Sequence, residues 1–447
     1  MNRRHPKSTF RMSQGSVLII VLWIAFGLVS IALYFADSMS AELRASDNRV
    51  CGLAADQAIE GAASYINYIL TNYATNGVIP DLTEYKAAAV PIGDAHFWII
   101  GRDPSGTPSA EPHFALIDEG SKLNLNYART NVLVNLPNMT QDFAQAIVDW
   151  RNTNSVGLSA VDYAQLGYAL KSAPFETVDE LRLVYGSSMD LLVGDDVNQN
   201  GVLDENETDE NHTGQVAPGL FEYCTVFSRE PNIHSDGTMF TNVNNQAAFR
   251  PLLQAQFGSG RATQILSQFT VTSRGPGGVL VRRQVPVTNL LQFYLQSGMT
   301  SAEFAQIANG ITTTTTPYIY GRVNINTANA TVLSCLPGMD SGTAQQLVTY
   351  RQQNPNNIGS IAWIVDALGA SSPVVQALAQ GNYITTYSYQ FTADIAALGP
   401  HGRGYRRTRF VFDLSSGAVQ IVYRQDLSRL GWALGKSVRN TYAASEM

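Results

Sequence analysis

Residues 17–36 read VLIIVLWIAFGLVSIALYFA, 20 residues without a formal charge. At 1.5 Å per residue such a helix spans about 30 Å, the thickness of a bilayer's hydrocarbon core. Arg3, Arg4, Lys7 and Arg11 precede the run with no acid among them, and Asp37 and Glu42 follow it. Basic residues stay on the cytoplasmic side, so the chain is expected to cross a membrane once and place its bulk outside the cytoplasm. Beyond the run, Val50, Leu53, Ala54, Gln57, Ala58, Gly61, Ala62, Tyr65, Ile66 and Ile69 recur at three- and four-residue spacing, and residues 16–78 contain no proline. That pattern predicts one helix over 16–76, half in lipid and half packed on a globular part.

The apolar run is longer than that of an ordinary secretory signal. The basic segment before it ends in Ser13, Gln14 and Gly15, followed by Ser16. This resembles the leader of type IV pilin-like proteins, which prepilin peptidase cuts after the glycine. The resemblance implies a leader over 1–15, processing between Gly15 and Ser16, and methylation of the new N-terminus. Most members of that class carry Glu at the fifth mature position, which here is Ile20. A carboxylate within a bilayer persists only with a partner, in filament-forming members the N-terminal amine of a neighbouring subunit. A subunit without it suits the tip of a filament better than its body.

The chain also repeats itself. Residues 122–151 and 322–351 align at an offset of 200 without a gap, and 12 of the 30 positions are identical, among them Asn124/Asn324, Asn126/Asn326, Leu136/Leu336, Pro137/Pro337 and Arg151/Arg351. Each copy predicts a short strand, an Asn-rich turn and two helices around a proline-containing hairpin. The second copy resembles a helix-hairpin-helix unit, with Leu336, Pro337, Gly338 and Met339 as its hairpin. DNA-binding versions present backbone amides and basic side chains at the hairpin. Here Asp340 follows one hairpin, Thr140 and Asp142 follow the other, and no Lys or Arg lies between either hairpin and the terminal Arg151 or Arg351. Both copies therefore read as packing units.

The order Asp118, Glu119, Leu123, Asn124, Asn126, then Asp149-Trp150, then Asp179, Glu180, Leu181 to Gly186, then Val323, Asn324, Asn326, and at the end Tyr423, Asp426, Gly431-Trp432 resembles the type II secretion minor pseudopilin of the K type. The resemblance implies an α+β pseudopilin fold: a long N-terminal transmembrane helix on an antiparallel sheet, with a large, mostly helical domain inserted between strands. Applied to this sequence, it gives a first part of the sheet over 77–126 with strands at 96–101 and 114–126, an insert over 127–370, and closing strands at 387–395, 405–414 and 418–424 within 371–447. It further implies an inner-membrane protein with its globular part in the periplasm. The implied partners are the other minor pseudopilins (I, J and H types), the major pseudopilin, prepilin peptidase and membrane lipid. The stretch 244–316, with its threonine run 312–316, looks like material beyond a minimal member.

Asp196, Asn198, Asn200, Gly201, Val202, Leu203, Asp204 and Glu207 fit a twelve-residue calcium loop. Oxygens at positions 1, 3 and 5 point at one centre, Gly201 permits the turn, Val202 offers its carbonyl, Asp204 contributes at position 9, and Glu207 closes the site. Leu203 is expected in the core. The following residues, 208–214, make a poor exiting helix, so one isolated loop is expected. The K-type pseudopilins are known to bind calcium, which agrees.

Other chemistry finds little support. Net charge is −7, so no global basic field favours nucleic acid. Three cysteines, Cys51, Cys224 and Cys335, are too few for a disulfide framework, although Cys224 and Cys335 have the option of pairing in an oxidising compartment. The six histidines form no metal motif, and no nucleophile elbow or phosphate-binding loop occurs. Arg403, Arg406, Arg407 and Arg409 read as a polar sheet face. The expectation is a non-enzyme that caps a secretion pseudopilus and helps nucleate it for export of folded proteins. The alternatives are a type IV pilus or DNA-uptake component, and a membrane-anchored calcium-binding protein.

Overall fold

The computed structural model describes residues 15–74, 77–103, 109–153, 163–209, 211–234, 236–274 and 280–443. Residues 1–14 of the expected leader lie outside them, and Gly15 and Ser16 open the first helix, α1, Gly15–Thr71. By length and composition α1 is able to cross a membrane from Val17 onward. Its first part touches nothing: Val17, Trp23 and Phe35 are all exposed. From Cys51 one face turns inward, burying Ala55, Ile59, Ala62, Ala63, Ile66 and Leu70. Val50 and Leu53, expected on that face, are exposed. The buried stripe is set by alanines that let the helix approach the sheet closely, so side-chain size decides the face more than hydropathy does.

α1 lies across six strands: β1 Val90–Ile92, β2 Ala95–Ile100, β3 Ile117–Asp118, β4 Gln390–Leu398, β5 Arg406–Asp413 and β6 Gln420–Asp426. The order is β1-β2-β4-β5-β6, β3 also pairs with β4, and every pairing is antiparallel. β4 is buried at every position. Phe391, Ala393, Ile395 and Ala397 meet α1, whereas Ala396 and Leu398 join Trp98 and Ile100 beneath Val438 and Tyr442 of the C-terminal helix Gly435–Ala443. With both faces covered, a one-residue slip of β4 would exchange the two sets, so its register is strongly specified. Arg403, Arg406 and Arg424 pair with Asp47, Asp56 and Glu60 of α1 and tie the helix to the sheet edge.

The α+β plan expected from the sequence is the observed one, with local differences. The closing strands begin one to three residues later than expected. The strand expected over 114–126 is broken: after β3 the chain makes a turn at Glu119–Ser121 and resumes only as Leu123–Asn124. Asp118 causes the break, since its Oδ1 accepts a hydrogen bond from Gly120 N at 2.7 Å and diverts the backbone from the ladder.

Between β3 and β4 a second apolar core gathers residues from Leu123 to Ile384. The two repeats match bond for bond. Asn124 and Asn324 each accept the amide two residues on, at 2.9 Å. Asn126 and Asn326 donate to the carbonyls of Phe175 and Ile358. Arg151 donates to the carbonyls of Leu125 and Ala128, and Arg351 to those of Ile325 and Ala328. Within 244–316 the chain forms Gln246–Gln268, two helical pieces that meet at a kink at Gly258, antiparallel strands Thr270–Arg274 and Leu280–Gln284, and helices Leu290–Ser297 and Ser301–Ile307. Cys51, Cys224 and Cys335 are buried, and no disulfide joins them among the described residues.

Candidate metal centre

The loop expected to hold calcium is folded by its own side chains. Asp196 accepts from Asn200 N at 2.8 Å and from Gly201 N at 2.9 Å. Asn198 Oδ1 also accepts from Asn200 N, and Asn200 Oδ1 from Val202 N. Glu207 reaches back with both oxygens, accepting from Asn198 N at 3.1 Å and Asp204 N at 3.0 Å. Gln199 and Gly201 have φ of 56° and 84°, the left-handed region, and a Cβ on Gly201 would stand 2.9 Å from Arg102. Here glycine is required both by conformation and by space.

All six expected donors thus sit in one loop, and Asp196, Asn198 and Asn200 are buried. Val202, not Leu203, is the buried apolar side chain. Asp204 Oδ2 accepts the amide groups of Asn198 and Asn200 at 2.6 and 2.8 Å. Among the described residues, no three His, Cys, Asp or Glu side chains are grouped as a metal cage. The loop's set draws instead on two amides and a main-chain carbonyl. Burial raises the Asp196 carboxyl above its ordinary value, partly offset by Arg102. Burial also raises Glu207, and Asp196 and Asp204 push it further. The loop therefore gathers hard oxygen donors and carboxylates that Arg102 compensates only in part, a combination that fits a divalent cation.

What braces the loop was not legible as such. Arg407, expected on a solvated face, is wholly buried. Its guanidinium meets Asp394 of β4 at 2.7 and 2.9 Å and donates its remaining protons to the carbonyls of Asn198 and Gln199. Arg409 bonds Asp394 at 2.9 Å and the Gln199 side chain at 3.1 Å. Arg102 completes the cradle through Glu222 at 2.9 Å, near Asp196. The signal in the sequence was Asp394 itself, a lone charge inside an apolar strand.

A fragment of the same turn recurs after the loop, in the stretch expected as a poor helix. Asp209 accepts from Thr213 N and Gly214 N, Asn211 accepts from Thr213 N, and His212 and Gly214 have positive φ. This second turn is exposed.

A family model for the helix-hairpin-helix motif matches residues 320–357, the second repeat. Comparison with curated proteins finds no match. Among solved structures, the chain is similar to one in the crystal structure of the GspK-GspI-GspJ complex from the enterotoxigenic Escherichia coli Type 2 Secretion System. The identity is 10% and the TM-score 0.40, over 83% of this chain and 96% of that one.

Proposed function

We propose that this chain is a minor pseudopilin of a type II secretion system. Prepilin peptidase cuts it after Gly15, residues 17–36 hold it in the inner membrane, and its globular part stands in the periplasm. With other minor pseudopilins (I, J and H types) and the major pseudopilin it caps a short fibre and helps nucleate it, so that folded proteins are moved across the outer membrane. The observation that carries this reading is α1: one continuous helix, bare and uncharged over its first part and packed on an antiparallel sheet over its second. Bare helix is what a fibre packs, and the absence of a charge at Ile20 removes the amine pairing that a subunit above would need. The large insert between β3 and β4 adds bulk that denies such a subunit room.

The loop of Asp196, Asn198, Asn200, Val202, Asp204 and Glu207 takes calcium as a structural ion. Bound there, the ion would neutralise the carboxylates that burial now disfavours. The braced carbonyls of Asn198 and Gln199 would transmit that rigidity to β4 and β5.

The helix-hairpin-helix match favours one other reading, a component that grips duplex DNA. Against it, Arg151 and Arg351 spend their guanidinium groups on carbonyls of their own repeat. The second hairpin is backed by the helix Pro373–Leu378: a Cβ on Gly338 would stand 2.9 Å from that of Ala377.

Co-expression of the full chain with a prepilin peptidase, followed by mass spectrometry of the N-terminus, tests the main reading. A mature start at Ser16 is expected. An intact leader overturns it and leaves an anchored calcium-binding protein, and a cut beyond residue 36 overturns it and leaves a secreted one. Duplex binding by the full chain with a steep salt dependence would favour the DNA reading instead.

A further inference from the structure

The extra stretch 244–316 closes a cavity of about 40 Å³ against the second repeat and the residues leading into β4. One wall is polar. Asn232 is fully buried, and its Nδ2 donates to the carbonyls of Thr316 at 2.7 Å and Thr314 at 3.4 Å. Those two acceptors fix the orientation of the amide, because a flipped amide would set oxygen against oxygen. Among the described residues, Asn232 Oδ1 and the hydroxyl of Thr386, which is 6% exposed, are then left without a hydrogen-bond partner. Both residues line the cavity. The neighbouring charges are already matched: Glu230 accepts two bonds from Arg322 and one from Thr385. Phe304 and Ile361 also line the cavity and offer it apolar surface.

Buried polar atoms in native proteins find partners, so two orphans at one cavity point to an occupant. Asn232 Oδ1 only accepts, so the occupant must donate a hydrogen bond. Thr386 either donates or accepts, so a hydroxyl serves it in both senses. Net charge is excluded, since the Glu230–Arg322 pair leaves no counter-charge and an unpaired ion would be desolvated. The volume holds roughly three waters at about 10–15 Å³ each. Waters beside Phe304 and Ile361 would lack partners there, whereas carbon would pack. We propose that this cavity binds a small uncharged polyol, whose hydroxyls complete Asn232 and Thr386 and whose carbon rests on Phe304 and Ile361. The role of the extra stretch is then to roof a binding site, independently of how the chain assembles.

The test is titration of the full chain in nanodiscs, purified without polyols, with ¹³C-labelled glycerol followed by NMR. Saturable binding is expected. Thr386→Val, nearly the same shape without the hydroxyl, should weaken it about tenfold, the value of one hydrogen bond. Ala308→Leu, which fills the cavity, should abolish it, and serves alone if the first variant fails to fold. No saturation with the natural chain would mean the cavity holds water only and overturns the proposal. Unchanged affinity in folded Thr386→Val or Ala308→Leu protein would place the glycerol elsewhere and overturns it equally.

Discussion

Arg407 and Asp394, on adjacent antiparallel strands, face each other through two hydrogen bonds of 2.7 and 2.9 Å, with side chains 0% and 2% exposed. The pair joins the sheet that carries α1 to the loop proposed to hold calcium, because the same guanidinium also bonds the carbonyls of Asn198 and Gln199. Burial alone would push the Asp394 carboxyl up, but Arg407 and Arg409 outweigh it and hold it down to about 2.

Asp394→Asn should therefore destabilise the protein by about 3–5 kcal/mol, because it leaves a buried guanidinium without its counter-charge. Chemical denaturation checks this. In the natural chain, the folded carboxyl titrates below its unfolded value, so its contribution is present above about pH 4. It is lost as pH falls from about 4 toward 2, by about 2 kcal/mol. A variant as stable as the natural chain would contradict the bracing role.

Calcium should raise the melting temperature of chelator-stripped protein. At a hundredfold excess over the dissociation constant the gain is about 2.7 kcal/mol. Glu207→Gln removes a closing carboxylate and should abolish most of that shift, read against the variant's own stripped melting temperature because the amide also loses one of the two loop acceptors. No shift with millimolar calcium in the natural chain would remove the metal reading.

Asp118 should give a pH dependence of the opposite sign. Burial pushes its carboxyl up to about 6, against hydrogen bonds from Ser388, Thr327 and Gly120 that favour the charged form. The folded state then holds the proton more tightly than the unfolded one. Its stabilising contribution is full below about pH 4 and declines as pH rises to about 6, by about 3 kcal/mol. Urea melts at several pH values across that window, compared with Asp118→Asn, isolate the effect from neighbouring carboxylates. Parallel pH profiles for the two proteins would refute it.

Arg351→Met should cost about 2–4 kcal/mol, since it strands the buried carbonyls of Ile325 and Ala328. Arg151→Met should lower stability in the same way, because the equivalent carbonyls at Leu125 and Ala128 lose their donor. Thermal melts of both variants test whether the repeats are equivalent packing units; wild-type melting in either would break that equivalence.

Much of the plan was legible from local signals. The uncharged run 17–36 and the absence of proline predicted α1, and the family plan with β-branched and aromatic content placed the closing strands to within three residues. The loop from Asp196 to Glu207 was readable because its oxygen-bearing side chains lie within twelve positions and each shapes its neighbour's backbone. The broken strand after Asp118 was missed, because an apolar alternation does not reveal that one side chain will cap a turn. Arg407 was misread for a related reason: alternation along β5 says which residues share a face, but not what covers that face.

The sequence by itself determined the membrane-length helix, the duplicated unit and the oxygen-rich loop, since each is written in spacings that a short window contains. Only the tertiary structure decided that Arg407 would be buried against Asp394 and would reach a loop 209 positions away at Asn198. It also decided that the stretch 244–316 would roof a cavity beside Asn232 and Thr386. Local periodicity carries propensity, whereas the fate of a charge depends on which distant groups arrive to replace its water, and that is settled only when the chain closes on itself.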